Sequence, residues 1–324
     1  MVTWAMVGTG LMADLILKDF ALVENTDLKA LVSRDPDRAD AKLKELGVEA
    51  SSMTFEQALE DSSIDLIYIA SPHSEHHWMA EAALEAGKHI LVEKAFMENA
   101  GQAQEIYALA KSKGLFSMEA MWTKFLPLHQ RLEEMVKSGR IGKLRLIEAN
   151  FGFRRTFDQS HRLFDAALGG GSSLDQGVYT TSLNRWFADS EIRTISAHGY
   201  NYPNGTDALA MTQFEFANGV VGRGNSSLAT SLGLAARLVG DAGIIEIHEA
   251  FWAATKATIK TYAENHDVPK TEELEVPKLG AGYAHMIQAV SQSVISGEIE
   301  NPQHTHQFSL EVMGALDEIR SQLT

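Results

Sequence analysis

The stretch Trp4-Ala5-Met6-Val7-Gly8-Thr9-Gly10-Leu11-Met12-Ala13 decides how this chain is read. An apolar run ends in a Gly-x-Gly-x-x-Ala turn, and each small residue answers a separate demand of a dinucleotide-binding turn. Gly8 lets the chain leave a strand sharply, Gly10 removes the side chain that would block a pyrophosphate, and Ala13 lets the next helix pack closely. Leu11 and Met12 follow the second glycine, where the N–H groups of a helix start face the phosphates. A second apolar run at residues 28–32 comes at the βαβ spacing that the fingerprint requires.

An NAD-specific site places an acidic residue at the end of that second strand, where it binds the ribose hydroxyls and repels a 2′-phosphate. This chain reads Leu31-Val32-Ser33-Arg34-Asp35 there. Ser33 can donate to a 2′-phosphate, and the guanidinium of Arg34 can pair with it while lying flat against adenine. NADP is therefore expected ahead of NAD. Arg38, one turn further on, reads either as a second cation for the phosphate or as a solvated helix residue. Asp35 reads as the cap of the next helix, with Pro36 at its first position.

With 324 residues, 45% hydrophobic and 22% charged, the chain can bury a full core, and two domains are expected, 1–120 and 121–324. A net charge of −15 repels nucleic acid and anionic membrane surfaces, so neither is expected as a partner. There is no long apolar span and no charged-then-apolar leader, and a cytoplasmic location is the expectation. The chain has no cysteine, which removes disulfides, thiolate metal sites and a cysteine nucleophile. His73, His76 and His77 lack the third-ligand spacing of a metal site, so no metal is expected and they read as loop or cofactor contacts. His304 and His306 read as surface residues. No Gly-x-Ser-x-Gly elbow or Walker loop occurs, which leaves hydrolase and triphosphatase chemistry without support.

Strands are expected at 3–7, 28–32, near 53, 65–70, 89–92 and 115–118, and helices at 12–20, 36–46, 55–60, 75–86 and 99–113. This alternation predicts an α/β Rossmann domain with a doubly wound parallel sheet. After a helix at 127–138, strands are expected at 143–153, 192–202, 208–217, 220–229, 234–240, 243–248 and 255–262, with Asn218-Gly219 turning a tight hairpin. They predict a carboxy-terminal α+β domain on a large, mostly antiparallel open sheet, closed by helices at 281–296 and 304–322. A broad sheet with helices on one face leaves on the other an apolar surface that a monomer would expose, so self-association is expected.

Several segments carry a resemblance that spans essentially the whole chain. The amino-terminal fingerprint, the strand end Ile67-Tyr68-Ile69-Ala70-Ser71-Pro72-His73 with His76 nearby, the Ala86-Gly87-Lys88-His89 turn and Glu93-Lys94 resemble the glucose–fructose oxidoreductase, inositol dehydrogenase and MocA family. Within it, Met118-Glu119-Ala120-Met121-Trp122-Thr123-Lys124-Phe125 and Gly170-Gly171-Ser172-Ser173-Leu174-Asp175-Gln176-Gly177-Val178-Tyr179 are similar to the dimeric dihydrodiol dehydrogenase branch. The resemblance implies an NADP-dependent dehydrogenase, with NAD possible, acting on a small sugar, polyol or cyclic diol and assembling as a homodimer or higher homo-oligomer. It implies cofactor contacts from Ser71, His73, His76, Glu93, Lys94 and Trp122, and a substrate pocket of Trp122, Phe125, Phe151, Phe157 and Trp252. Two alternatives stand beside it: an NAD-linked inositol dehydrogenase, which Ser33-Arg34 disfavours, and a non-catalytic nucleotide-sensing regulator, against which Lys94, Asp175 and Tyr179 argue.

Asp175 and Tyr179 lie four residues apart in an expected helix, which puts carboxylate and phenol on one face. A phenol of pKa near 10 is a poor base unless a cation lies beside it. Lys94, at the carboxyl end of a parallel strand, can supply that charge. Lys94 and Tyr179 would then bind the reacting oxygen together, with Tyr179 passing the proton. Without the fingerprint the same residues read as a surface lysine, a half-buried aromatic and a helix cap. Glu93 is either a cofactor ligand or a partner for Lys94, and Gly169-Gly170-Gly171 either a flexible approach to substrate or a plain loop before the helix. One departure is local: the family commonly follows its lysine with proline, and this chain has Ala95, before which a cis peptide costs about 2.5–4 kcal/mol.

Overall fold

The computed structural model describes residues 1–263 and 268–323. They fall into two compact units, Met1–Phe125 with Leu279–Leu310, and Leu126–Lys278 with Glu311–Thr324.

In the first unit, strands β1 (Val2–Val7), β2 (Thr26–Val32), β3 (Ser51–Met53), β4 (Leu66–Ile69), β5 (His89–Val92) and β6 (Ser117–Glu119) alternate with helices. These are α1 (Leu11–Ile16), α2 (Pro36–Leu46), α3 (Phe55–Glu60), α4 (His73–Glu85) and α5 (Ala100–Lys113). The order is β3-β2-β1-β4-β5-β6 with every pair parallel, the doubly wound sheet that the alternation predicts. Strand β4 is buried along its whole length, as expected of a parallel strand covered on both faces. Local grammar sets the helix ends. Asp35 accepts from the Asp37 and Arg38 N–H groups at 3.1 and 3.4 Å ahead of Pro36, and Thr54 and Gln57 form a capping box. The expected helix at 12–20 is shorter, because α1 gives way to a 3-10 turn at Leu17–Leu22.

The second unit begins with α6 (Pro127–Lys137) and β7 (Leu144–Gly152), reaches α7 (Val178–Ala188), and continues through β8 (Ile192–Asn201), β9 (Asp207–Phe216) and β10 (Val221–Ser227). Strands β11 (Ala236–Gly240), β12 (Gly243–Ile247), β13 (Lys256–Thr261) and β14 (Lys270–Glu275) follow. The eight strands run β14-β13-β12-β11-β7-β10-β9-β8, all antiparallel except the β7–β10 pair. Helix α7 lies on this sheet closely enough to require glycine beneath it. A Cβ at Gly222 would come 2.2 Å from Asn184 Oδ1, and one at Gly224 3.0 Å from Thr180 Oγ1. Strand β14 is an addition to the expected set. Its sequence, Lys-Thr-Glu-Glu-Leu-Glu, lacks apolar alternation, but six paired positions on β13 hold it as a charged edge.

Two helices close the chain, α8 (Ala284–Ile295) and α9 (His306–Ser321). Helix α8 belongs to the first unit. Trp4, fully buried on β1, donates its indole N–H to Ser291 at 3.2 Å and packs edge-on against Phe20 and Tyr68. Buried Asp19 accepts from the N–H groups of Ala281, Tyr283 and Ala284 at 2.8–3.1 Å, filling donors at the start of α8 that would otherwise be orphaned. Residues 279–310 are therefore stitched to the unit that carries the fingerprint.

Candidate active site

Gly8 follows β1 directly at φ +117°, and a Cβ there would lie 2.6 Å from the Ala70 carbonyl oxygen. Both facts demand glycine. The position lies between β1 and β4, where the strand order reverses and open α/β sheets bind their ligands. At Gly10 a Cβ would meet no protein atom within 4 Å, so packing does not require this glycine. Its lack of a side chain keeps the start of α1 approachable, which suits a pyrophosphate. Ala13 is buried, whereas Leu11 is 69% exposed. At the end of β2, Ser33 Oγ accepts the Asp35 N–H at 3.2 Å and keeps its own hydrogen to donate, while Arg34 and Arg38 are exposed. These residues fit a phosphorylated dinucleotide.

After β5 the chain turns through Glu93-Lys94-Ala95-Phe96, and the Lys94–Ala95 peptide is cis. The turn is braced from α4. His73 Nε2 lies 3.2 Å from both the Lys94 oxygen and the Ala95 nitrogen, so its ring faces that peptide group. His76 is fully buried, with Nδ1 3.2 and 3.0 Å from the Ala95 and Phe96 oxygens and Nε2 3.0 Å from the Ser71 oxygen. Burial pulls the His76 ring below its ordinary pKa. Glu93 is buried, accepts from the Tyr68 hydroxyl, and takes the Lys94 N–H at 3.3 Å. Desolvation pushes the Glu93 carboxyl upward, against the opposing pull of Tyr68 and the Lys94 charge. Lys94 is half-buried. Trp122 stacks on Tyr283 at 4.3 Å, and Phe125 is buried. His77 pairs with Glu105 at 3.0 Å on the surface. His304 is buried and His306 half-buried, so neither is the surface residue expected: His304 donates to the interior Glu119 at 3.0 Å and His306 bonds Ser117 at 2.9 Å.

In the second unit the glycine run is a packed turn. Gly171, at φ +117°, approaches Asp207 so closely that a Cβ would sit 2.2 Å from Oδ1, and one at Gly170 would press on three carbonyl oxygens at 2.8 Å. Asp207 is the anchor. Its Oδ2 accepts from Ser172 Oγ at 2.7 Å, Ser173 N at 2.7 Å and Ser173 Oγ at 2.9 Å. The next residues, Ser173–Gly177, form a π-helical turn before α7. Asp175 thus lies in the π turn and Tyr179 in α7, so the expected single helix is a π turn followed by an α-helix. Asp175 pairs with Arg162 at 3.5 Å.

Tyr179 is 7% exposed and faces an aromatic wall. Its ring lies 5.6 Å from Phe151 and 6.0 Å from Trp252, which stack on each other at 3.6 Å. Phe157 is elsewhere, against Phe164 and Tyr202 at 5.4 and 4.8 Å. The wall has a support that sequence reasoning missed. Buried His129 on α6 lies with Nε2 2.7 Å from the Phe251 carbonyl oxygen, one residue before Trp252, and burial pushes its pKa down to about 4. A lone histidine in an amphipathic helix gives no sign of such a partner 122 positions away. Among the described residues, no three His, Cys, Asp or Glu side chains converge as a metal site.

Residues 2–120 match the family model described as oxidoreductase family, NAD-binding Rossmann fold, and residues 129–246 match the GFO/IDH/MocA C-terminal domain. The trans-1,2-dihydrobenzene-1,2-diol dehydrogenase of Mus musculus is 30% identical over 289 residues, 86% of this chain and 82% of its own length. That of Sus scrofa is 28% identical over 322 residues, 98% and 95% of the two chains. Among solved structures, an aldose-aldose oxidoreductase from Caulobacter crescentus complexed with glycerol superposes with a TM-score of 0.87 at 22% identity, covering 99% and 97%. A 3-ketoreductase from Actinomadura kijaniata in complex with NADP and TDP-benzene gives 0.85 at 24%, covering 99% and 98%. At such identities the two structures bear on the fold.

Proposed function

This chain belongs to the GFO/IDH/MocA family of NAD(P)-binding oxidoreductases, and we propose on that premise that it interconverts a secondary alcohol and a ketone on a sugar, polyol or cyclic diol with NADP(H). The loop after β5 carries the reading. It sets half-buried Lys94 at the carboxyl end of a parallel strand, where such sheets place ligands, with His73 against its peptide group. NADP, when bound, supplies the hydride acceptor or donor at its nicotinamide.

Lys94 contributes a positive charge that favours the anionic form of a neighbouring oxygen. Tyr179 moves the proton: it takes the hydroxyl hydrogen as the carbinol C–H leaves as hydride, and returns it when the ketone is reduced. One hydride goes to the cofactor and one proton to Tyr179, and then to water. Asp175, beside Arg162 at the turn before α7, is the third candidate catalytic group. Phe151 and Trp252 offer flat apolar faces to the C–H side of a ring, and the mouse and pig relatives are named for a cyclic diol. Ser33 and Arg34, with Arg38, support the phosphorylated cofactor. Ser71, His73, His76, Glu93 and Trp122 are assigned to the nicotinamide side of the site, His76 acting through the backbone it braces.

The reading is tested by following NADP reduction with trans-1,2-dihydrobenzene-1,2-diol, a set of aldoses and a set of inositols, and repeating the series with NAD. Turnover in at least one class, faster with NADP, is expected. Activity with NAD alone, or none in any class, contradicts it.

A further inference from the structure

Each peptide from Lys94 to Phe96 has a side-chain partner. The Lys94 N–H goes to Glu93, His73 and His76 face the Lys94 carbonyl, both groups of Ala95 and the Phe96 carbonyl, and the Phe96 N–H donates to Glu119 Oε1 at 3.1 Å. Glu119 is the last residue of β6 and is completely buried. Its other oxygen accepts from His304 at 3.0 Å and from Ser309 Oγ at 2.9 Å, both buried and both contributed by the returning segment Leu279–Leu310. The Phe96 side chain is fixed as well, stacked on Tyr107 at 4.3 Å, which stacks in turn on His306 at 4.1 Å. Burial holds His304 below its ordinary pKa, so a neutral ring gives its Nε2 hydrogen to the carboxylate.

A carboxylate is an expensive group to bury, and an apolar side chain of similar volume commonly serves stability as well or better. What an apolar side chain cannot do here is accept the Phe96 N–H, two residues beyond Lys94, and a buried donor left without an acceptor is released toward water at the first opportunity. Two donors, His304 and Ser309, arrange the carboxylate for that task. We infer that Glu119, oriented by His304 and Ser309, is a positioning residue that fixes the Lys94 loop through the Phe96 N–H. Its bearing on turnover rests on the proposed role of Lys94, but its effect on where Lys94 sits can be measured separately.

The measurement is competitive acetylation of the NADPH-saturated protein with acetic anhydride, read by peptide mass spectrometry as the labelling of Lys94 relative to exposed Lys44. In E119A the ratio rises about fivefold, the increase in loop opening expected when one buried hydrogen bond is lost. E119Q, whose carbonyl oxygen can still accept from Phe96, brings the ratio back toward the parent, and S309A falls between. A role in stability alone lowers the melting temperature of E119A and leaves the ratio unchanged, which overturns the inference. So does E119Q labelling like a folded E119A. If E119A does not fold, S309A decides: a raised ratio supports the inference and an unchanged one rejects it. Parent-like turnover in K94M together with the expected labelling removes Lys94 from the chemistry and leaves the positioning intact.

Discussion

His129 is uncharged in the folded protein, and that has a measurable consequence. Burial holds its pKa near 4, against about 6.5 in an unfolded chain. Between those values the unfolded state binds a proton that the folded state refuses, so the contribution of His129 is fully present above about pH 6.5 and is lost as pH falls toward 4. H129Q keeps an N–H donor for the Phe251 carbonyl but does not titrate. The parent should therefore lose about 1–2 kcal/mol more than H129Q on going from pH 7 to pH 5, read by urea unfolding. Equal losses contradict this account. At the nucleotide end, R34A removes a charge-assisted contact worth roughly 1.5–3 kcal/mol, so NADP should bind one to two orders of magnitude more weakly and NAD nearly as before. Calorimetric titration checks it, and a parent that binds NAD more tightly than NADP refutes the preference. The residues legible in the sequence are those whose reason is local: Gly8 and its turn, and Asp35 as a cap. Asp207, His129 and Glu119 were not legible, because their partners lie 23 to 190 positions away.

Among the elements, the turn before α7 shows where pattern reading stops. The glycines and the helix after them announce themselves, but the π turn at Ser173–Gly177 does not, since it depends on Asp207 drawing Ser172 and Ser173 inward. D207A leaves those donors without their acceptor and should cost roughly 1.5–3 kcal/mol of stability. D207N, which retains one accepting oxygen, should cost less. The two variants should also rank in that order for loss of turnover, because the turn leads directly into Tyr179. Thermal melts and steady-state rates test this, and D207A as stable and active as the parent would remove Asp207 as the anchor. Strand β14 was missed for the opposite reason. Its Lys-Thr-Glu-Glu-Leu-Glu sequence favours helix by propensity, and only pairing with β13 makes it a strand.

Over the whole molecule, both sheets were legible, while the return of residues 279–310 to the first unit was not, because Asp19 and Trp4 carry no sign of their distant partners. No helix among the described residues is long and apolar enough to cross a membrane. The face of the second sheet opposite α7 is less apolar than the argument for association supposed. Glu148 meets Arg223 and Arg237 at 3.6 and 3.3 Å, and Glu246 meets Lys260 at 2.6 Å. The neighbouring row, Val221, Leu146, Val239 and Ile244, is apolar and only partly covered. We propose that two copies associate through this mixed face. Light scattering at micromolar concentration should give twice the chain mass, and a monomer mass rules this out.

The central claim is that Tyr179 carries the proton under the influence of Lys94. The most direct measurement is the turnover of Y179F, alone and combined with K94M, on a substrate that the parent oxidises, with NADP affinity measured alongside. Phenylalanine keeps the ring against Phe151 and Trp252 and deletes the proton donor, so folding and NADP binding should persist while turnover falls by about 10²–10⁴-fold. The double variant should be little worse than either single one, as for residues that act as a unit. Near-parent turnover in Y179F, with NADP still bound, contradicts the account.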